Sequence, residues 1–204
     1  MKKMYILFFI IGIIMFTLPG CRSNQNKSSA NISYFHVDWP YYNTADDLLE
    51  KASDVFEGKI VNIFFKTIDT VTGKVTDSVN EDTDIWLYTV YEIETTQVYK
   101  GDNSGKKYIS IIGGMPNFKE NEQIQIMEKC GILDDNHSIP VLTNRKTLDI
   151  GSSYLFVACD LGGEYLYAAN IDQFAFEIDK SGTVDKTASP NFANIKDVLL
   201  KPKA

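Results

Sequence analysis

The sequence predicts a mainly β domain with minor α: a small barrel or curled antiparallel sheet, with one helix before it and a short helix after it. Three observations predict this class. Ile85 to Tyr99 (IWLYTVYEIETTQVY) alternates along its length and is dominated by β-branched and aromatic residues. Runs of similar composition recur at 55–66, 107–112, 153–160, 164–169 and 174–179, bounded by glycine or polar turn residues. Helical signals are confined to short stretches, the best of them beginning at Thr44 and Asn191.

In chain order, Thr44 with Asp47 three residues later forms a capping-box pattern, followed by Leu48, Leu49, Ala52 and Val55 on one side. That helix should stop near Ser53-Asp54, where VFEGKIVNIFFK begins the first long strand, bent at Gly58. Residues 67–84 read as a hairpin or exposed loop turning at Thr72-Gly73. The strand at 85–99 follows, then the turn formers Lys100 to Gly105, then KYISII ending at Gly113-Gly114. Residues 115–150 read as an irregular insertion or crossover, with an amphipathic stretch around Glu120 to Glu128. SYLFVACD and EYLYAA flank Gly162-Gly163 as a hairpin, FAFEID adds a short strand, and Ile195, Val198 and Leu199 mark the last helix.

The first twenty residues belong to a different physical world. Lys2 and Lys3 precede an uncharged apolar run from Met4 to Phe16, which is shorter than the roughly 20 helical residues a bilayer core requires. Leu18-Pro19-Gly20-Cys21 then resembles the bacterial lipobox. The resemblance implies cleavage before Cys21 and a diacylglyceryl group on its thiol, so that the mature chain sits on the extracytoplasmic face of a membrane, held by lipid. The expected organisation is a signal peptide at 1–20, lipidated Cys21 with a polar tether to residue 33, and one domain at 34–204.

Loss of residues 1–20 leaves 184 of the 204 residues, with 18 Lys+Arg against 27 Asp+Glu and a net charge of −9. That balance argues against nucleic acid and against adsorption to anionic lipid, leaving the acyl chains as the hold on the membrane. The two remaining cysteines, Cys130 and Cys159, read either as a disulfide of an exported protein or as separate thiols.

Chemistry is sparse. His36 and His137 lack ligand-spaced partners, so no zinc site is expected. Asp134, Asp135 and His137, and likewise Asp77, Glu81, Asp82 and Asp84, read as solvated polar loops rather than cation sites. Cys130 with His137 is a poor nucleophile–base pair, Gly-Ser-Ser-Tyr at 151–154 is no nucleophile elbow, and Gly113-Gly114 is no phosphate loop. No catalytic set and no cofactor is expected. The aromatic residues are the remaining clue. Trp86, Tyr88, Tyr91 and Tyr99 stand among polar residues and are candidates for a surface that stacks on sugar rings or grips a protein, against the alternative that they fill the core.

The progression Ala-Ser-Asp-Val-Phe-Glu-Gly-Lys-Ile-Val (52–61), Tyr-Thr-Val-Tyr-Glu-Ile (88–93), Val-Tyr-Lys-Gly-Asp (98–102), Ile-Ser-Ile-Ile-Gly-Gly (109–114) and Gly-Ser-Ser-Tyr-Leu-Phe-Val-Ala (151–158) resembles the OB-type barrel of the tissue-inhibitor-of-metalloproteinases and netrin-like group. The resemblance covers roughly 52–160 and implies an OB-like fold. Inhibitors of that group chelate a protease metal through a free amino-terminal cysteine, a role denied to a lipidated Cys21. The reading is therefore a membrane-anchored, non-enzymatic binding module with a cell-envelope protein or glycan as partner. The alternative is an extracytoplasmic enzyme or protease-inhibitor-like regulator whose site is built from distant residues.

Overall fold

Thr44 caps the first helix as its spacing predicts. Its hydroxyl oxygen accepts from the Asp47 N–H (3.2 Å) and its O–H donates to the Asp47 carboxylate (2.7 Å), opening α1 at Ala45–Lys51. The computed structural model describes residues 30–179, 181–185 and 190–201. Within them α1 leads into β2 (Asp54–Asp69), β3 (Ile85–Lys100) and β4 (Lys106–Ile112), then α2 (Glu120–Cys130). The strands β6 (Ser153–Cys159), β7 (Leu166–Ala168) and β8 (Ala175–Glu177) follow, and α3 (Ile195–Leu200) comes last. A further pair, β1 (Asn31–Phe35) and β5 (Ser138–Leu142), runs parallel as a separate two-stranded sheet.

The main sheet runs β2-β3-β4-β7-β6-β8, and β2 also pairs with β6, so five strands close into a ring. Of the two architectures the sequence allows, the ring is the barrel. One pair in it, β4 with β7, is parallel, so the sheet is not antiparallel throughout. Closure rests on β2, whose first six residues pair with β6 while the stretch from Val55 to Asp69 pairs with β3. Gly58 sits at this double pairing, opposite Thr95 on one side and Tyr154 on the other. A Cβ there would run into Ile93 Cγ2 and the Glu94 carbonyl, so the close approach of β2 and β3 requires glycine.

Register irregularities then decide which side chains enter the barrel. Phe56 and Ile60 point inward on even positions, and between Ile60 and Asn62 the pairing skips Val61. After that bulge the odd positions Ile63 and Phe65 point inward, meeting Leu87, Tyr91 and Ile93 of β3, Ile109 and Ile111 of β4, and Tyr154, Phe156 and Ala158 of β6. A second apolar cluster lies outside the ring. Leu155 and Val157, the opposite face of β6, pack with Val55 under Ala45, Leu48 and Ala52 from α1, and with Phe176, Phe192 and Ile195 from the C-terminal segment.

The segment 115–150 holds α2 over the amphipathic stretch expected around Glu120 to Glu128, and adds the short strand β5 where only irregular chain was expected. Likewise, Asn31 to Ser33 lie in β1 rather than in the tether. Residues 138–142 and 31–35 are each too short to announce themselves, and they pair across more than a hundred residues of sequence, Asn31 opposite Ser138. The Glu120 carboxylate fixes the entry by accepting from the Ala30 N–H (3.1 Å) and the Asn117 N–H (2.9 Å).

Gln123 locks α2 to the connection that leads into it from β4. It is fully buried; its Oε1 accepts from the Met115 N–H (2.9 Å), and its Nε2 donates to the carbonyls of Met115 (2.7 Å) and Phe118 (2.6 Å). A Gln123→Leu variant orphans these backbone groups, each at about 1–3 kcal/mol. The expected result is a loss of about 3 kcal/mol, read as a lower urea midpoint at unchanged slope. A loss below about 1 kcal/mol would show that α2 is held by its apolar face alone.

Candidate binding site

Outward-facing residues of the ring line up across strands. Phe64 of β2 stands opposite Val90 of β3, Val90 opposite Ser110 of β4, and Ser110 opposite Tyr167 of β7. In the next row Asn62 stands opposite Glu92 and Glu92 opposite Tyr108. The rings of Phe64, Tyr108 and Tyr165 meet pairwise, with centroids 6.3 Å, 6.4 Å and 5.9 Å apart, in edge and tilted geometries. All three are half-buried, whereas Val90 in the same outer row has no exposed surface. The result is a rigid aromatic platform on the outside of the barrel.

Two loops flank the platform. The β2–β3 loop is organised by Asp69, whose carboxylate accepts from the Thr72 hydroxyl (2.7 Å) and from the N–H groups of Val71 (3.1 Å) and Asp84 (3.2 Å). The Thr72 bond, followed by the backbone donors, holds Asp69 below the usual carboxylate range. The loop touches the β6–β7 turn, where Glu164 N–H donates to the Gly73 carbonyl (3.0 Å) and Val75 N–H donates to the Glu164 carboxylate (3.2 Å). Gly73 has φ +67°, and a Cβ there would sit 2.8 Å from Gly163 Cα, so the contact admits no side chain.

Beside Tyr108 and Tyr165 lies an open groove of about 210 Å³, lined also by Asp102, Ser104, Asp160 and Glu164. On its other flank Lys106 pairs with Glu92 (2.7 Å), and that hydrogen bond holds the Glu92 carboxyl low. Burial pushes the Tyr165 phenol up, with Glu164 and Tyr108 adding to it, so the phenol stays protonated and can donate. Aromatic faces ringed by carboxylates, a hydroxyl and an ammonium can stack on a ring while bonding its hydroxyl groups.

The four aromatic residues singled out in the sequence do not make one surface. Along β3 the odd positions face the interior, so Tyr91 is fully buried in the barrel, while Trp86 and Tyr88 lie on the other face. Tyr88 is buried against Tyr167, with burial first and then Tyr167 and Asp84 pushing its phenol up. Trp86 packs at 5.3 Å from Phe35. Tyr99 donates its hydroxyl to Glu57 (2.5 Å) at the far end of the strand. Phe64, Tyr108, Tyr165 and Tyr167 escaped sequence reasoning because only the register of four strands gathers them.

Other candidate residues take structural places. Cys130 and Cys159 are free thiols rather than a disulfide, since the first ends α2, buried, and the second ends β6 against the outer cluster. Cys159 donates to the Lys51 carbonyl (3.6 Å). Asp134 organises a turn, its carboxylate accepting from the Ser138 hydroxyl and N–H (2.7 Å), which together hold it low. His137 bonds within the same turn, its Nδ1 3.3 Å from the Asp135 carbonyl. Asp77 forms an ion pair with Lys129 (2.8 Å) that ties the β2–β3 loop to α2. Gly113 has φ +92° and ends β4. Among the described residues, no group of three or more His, Cys, Asp or Glu side chains is placed to hold a metal, and no helix is long and apolar enough to cross a membrane. The signal segment and Cys21 lie outside the described residues. No protein-family model matches the chain, and no curated protein matches it.

Proposed function

We propose that this chain is an extracytoplasmic binding module, held to its membrane by lipid on Cys21, that engages a cell-envelope glycan through the platform of Phe64, Tyr108 and Tyr165. One observation carries the glycan reading: three half-exposed rings in mutual contact, bordered by Asp102, Asp160 and Glu164. Sugar rings present C–H faces to aromatic groups and hydroxyls to carboxylates, and the groove offers both. Its position beside the β3–β4 face, between the β2–β3 and β6–β7 connections, supports an OB-type reading, because OB barrels take oligosaccharides and oligonucleotides on such a face. The acidic balance of the chain favours the former. The ring order, with a parallel β4–β7 pair closing through β2, supports the same reading and the resemblance to the netrin-like group.

Binding of the intact protein to solubilised envelope polysaccharide, followed by calorimetry, tests the proposal. Tyr108→Ala and Tyr165→Ala each remove about 1 kcal/mol of stacking, roughly fivefold in Kd. The double variant is expected to lose most measurable binding while keeping its fold. Equal binding by parent and double variant would sink the glycan reading.

A further inference from the structure

Arg145 lies in the loop between β5 and β6, half-buried, with its guanidinium turned toward the barrel interior. Its guanidinium carbon sits 5.7 Å from the centroid of the buried Tyr91 ring. Nη1 donates to the Thr89 hydroxyl (2.8 Å) and to the carbonyls of Gly114 (2.8 Å) and Gly113 (3.4 Å), and Nη2 donates to the Tyr91 hydroxyl (2.9 Å). Every one of these acceptors is neutral. Among the described residues no carboxylate forms an ion pair with Arg145. Its Nε–H is buried without an acceptor, and Nη2 keeps a second N–H unused. Lys146, the next residue, shows the contrast. It is partly buried too, and burial pushes its ammonium down, but Glu177 and Asp172 face it and its Nζ donates to the Ala175 carbonyl (2.5 Å).

A half-buried cation without a counter-charge is open to an anionic partner, and a guanidinium is shaped to take a carboxylate through paired N–H donors. Arg145 also lines a recess of about 360 Å³, whose other walls include Met115, Pro116, Val141, Leu142 and Thr147. Tyr34, Thr143 and Asn144 complete a lining of mixed polarity, with Met115, Pro116, Val141 and Leu142 as its apolar part, and the volume suits a small ligand. The recess lies across the barrel wall from the aromatic platform, since Tyr91 and Thr89 are inward positions of β3 whereas Val90 is outward.

We propose that this recess binds a carboxylate carried on a small apolar body, with Arg145 as its counter-ion and Met115, Pro116 and Leu142 around the apolar part. A free short-chain acid and the C-terminal carboxylate of a peptide present the same chemistry.

The sequence makes the test clean, because Arg22 and Arg145 are its only arginines. In the full chain extracted in detergent, the arginine Nε–H nitrogen–proton spectrum contains two resonances, and Arg22→Lys assigns them. Titration with butanoate at constant ionic strength should shift the Arg145 resonance saturably and leave that of Arg22 in place. Acetyl-Ala-Ala with a free carboxylate, compared with its amide, separates the sources. A tenfold preference for the peptide acid over butanoate assigns a peptide terminus, and the reverse assigns a free acid. Arg145→Gln risks the fold, so Thr147→Glu serves as the second variant, bringing a carboxylate to the recess from its exposed rim. It should weaken the butanoate response at least tenfold. The proposal is overturned if butanoate leaves the Arg145 resonance unmoved, if both arginines shift alike, if inorganic phosphate titrates Arg145 more tightly than butanoate, or if Thr147→Glu responds like the parent.

Discussion

Lys107→Met is expected to destabilise the domain by about 3–5 kcal/mol, the largest loss foreseen for any single side chain in the barrel. Lys107 is 4% exposed, and its ammonium bonds to the Asp54 carboxylate (2.7 Å) and to that of Asp102, 5.3 Å from the centroid of Phe56. Burial alone pushes the ammonium down, yet the two carboxylates outweigh it and hold Lys107 above the ordinary lysine range. Because the folded value is the higher one, this contribution is complete below the ordinary lysine pKa and is lost as pH rises through the raised one. Asp54 is itself only 6% exposed and sits where β2 begins its double pairing, beneath Gly101, whose missing Cβ leaves room for the carboxylate. Removing the ammonium leaves that carboxylate with the Ser53 hydroxyl (2.9 Å) and, among the described residues, no ion-pair partner. The cost therefore lies in the stranded charge rather than in the lost attraction. Asp54→Asn combined with Lys107→Met removes the stranded charge and should recover more than half of the loss, measured by urea unfolding. A double variant as unstable as the sum of the singles would show that packing of the lysine stem, not charge, is what matters.

Local signals were legible in the sequence and register was not. The Thr44–Asp47 cap, the strand at 85–99 and the hairpin around Gly162-Gly163 each depend on residues within a few positions of one another, and each stands where the pattern put it. Closure of the barrel depends on Gly58 letting β2 serve two neighbours, and on the skipped Val61 moving the inward set from even to odd positions. A bulge of one residue leaves no mark in composition. The same limit explains the aromatic residues. Trp86, Tyr88, Tyr91 and Tyr99 share one strand and so cannot all share its outer face, while Phe64, Tyr108 and Tyr165 come from three segments that meet only after pairing. Arg145 was invisible for another reason: a single basic residue in a polar loop has the composition of solvent-facing chain, and only its placement over the Tyr91 ring sets it apart.

Cys21→Ser is expected to abolish fatty-acid labelling of the protein and cleavage after Gly20. With the leader also exchanged for an ordinary cleaved secretory signal, the domain should move from the membrane fraction to the soluble extracytoplasmic one. The magnitude follows from acyl chains rather than from the protein. Each buried methylene contributes about 0.8 kcal/mol, a single myristoyl chain reaches only about 10⁴ M⁻¹, and further chains make the hold effectively permanent. Nothing in the described domain offers a substitute. The charge of −9 that remains without residues 1–20 opposes an anionic surface, and the domain's large exposed apolar side chains, Val71, Leu161 and Ile150 among them, come from three separate loops rather than one segment. Ala30 N–H is fixed to Glu120 at the start of α2, which packs on β2, so a lipid on Cys21, as proposed, would be joined to the aromatic platform through α2 and the barrel wall. On the proposed reading, membrane attachment and glycan binding are accordingly separable. The secreted Cys21→Ser domain should bind envelope polysaccharide with the parent's affinity while losing its place at the membrane. Retention of the unlipidated, leader-free domain on washed membranes, undiminished by Tyr108→Ala and Tyr165→Ala, would mean that the protein surface itself holds the bilayer, and the lipid anchor would lose its role.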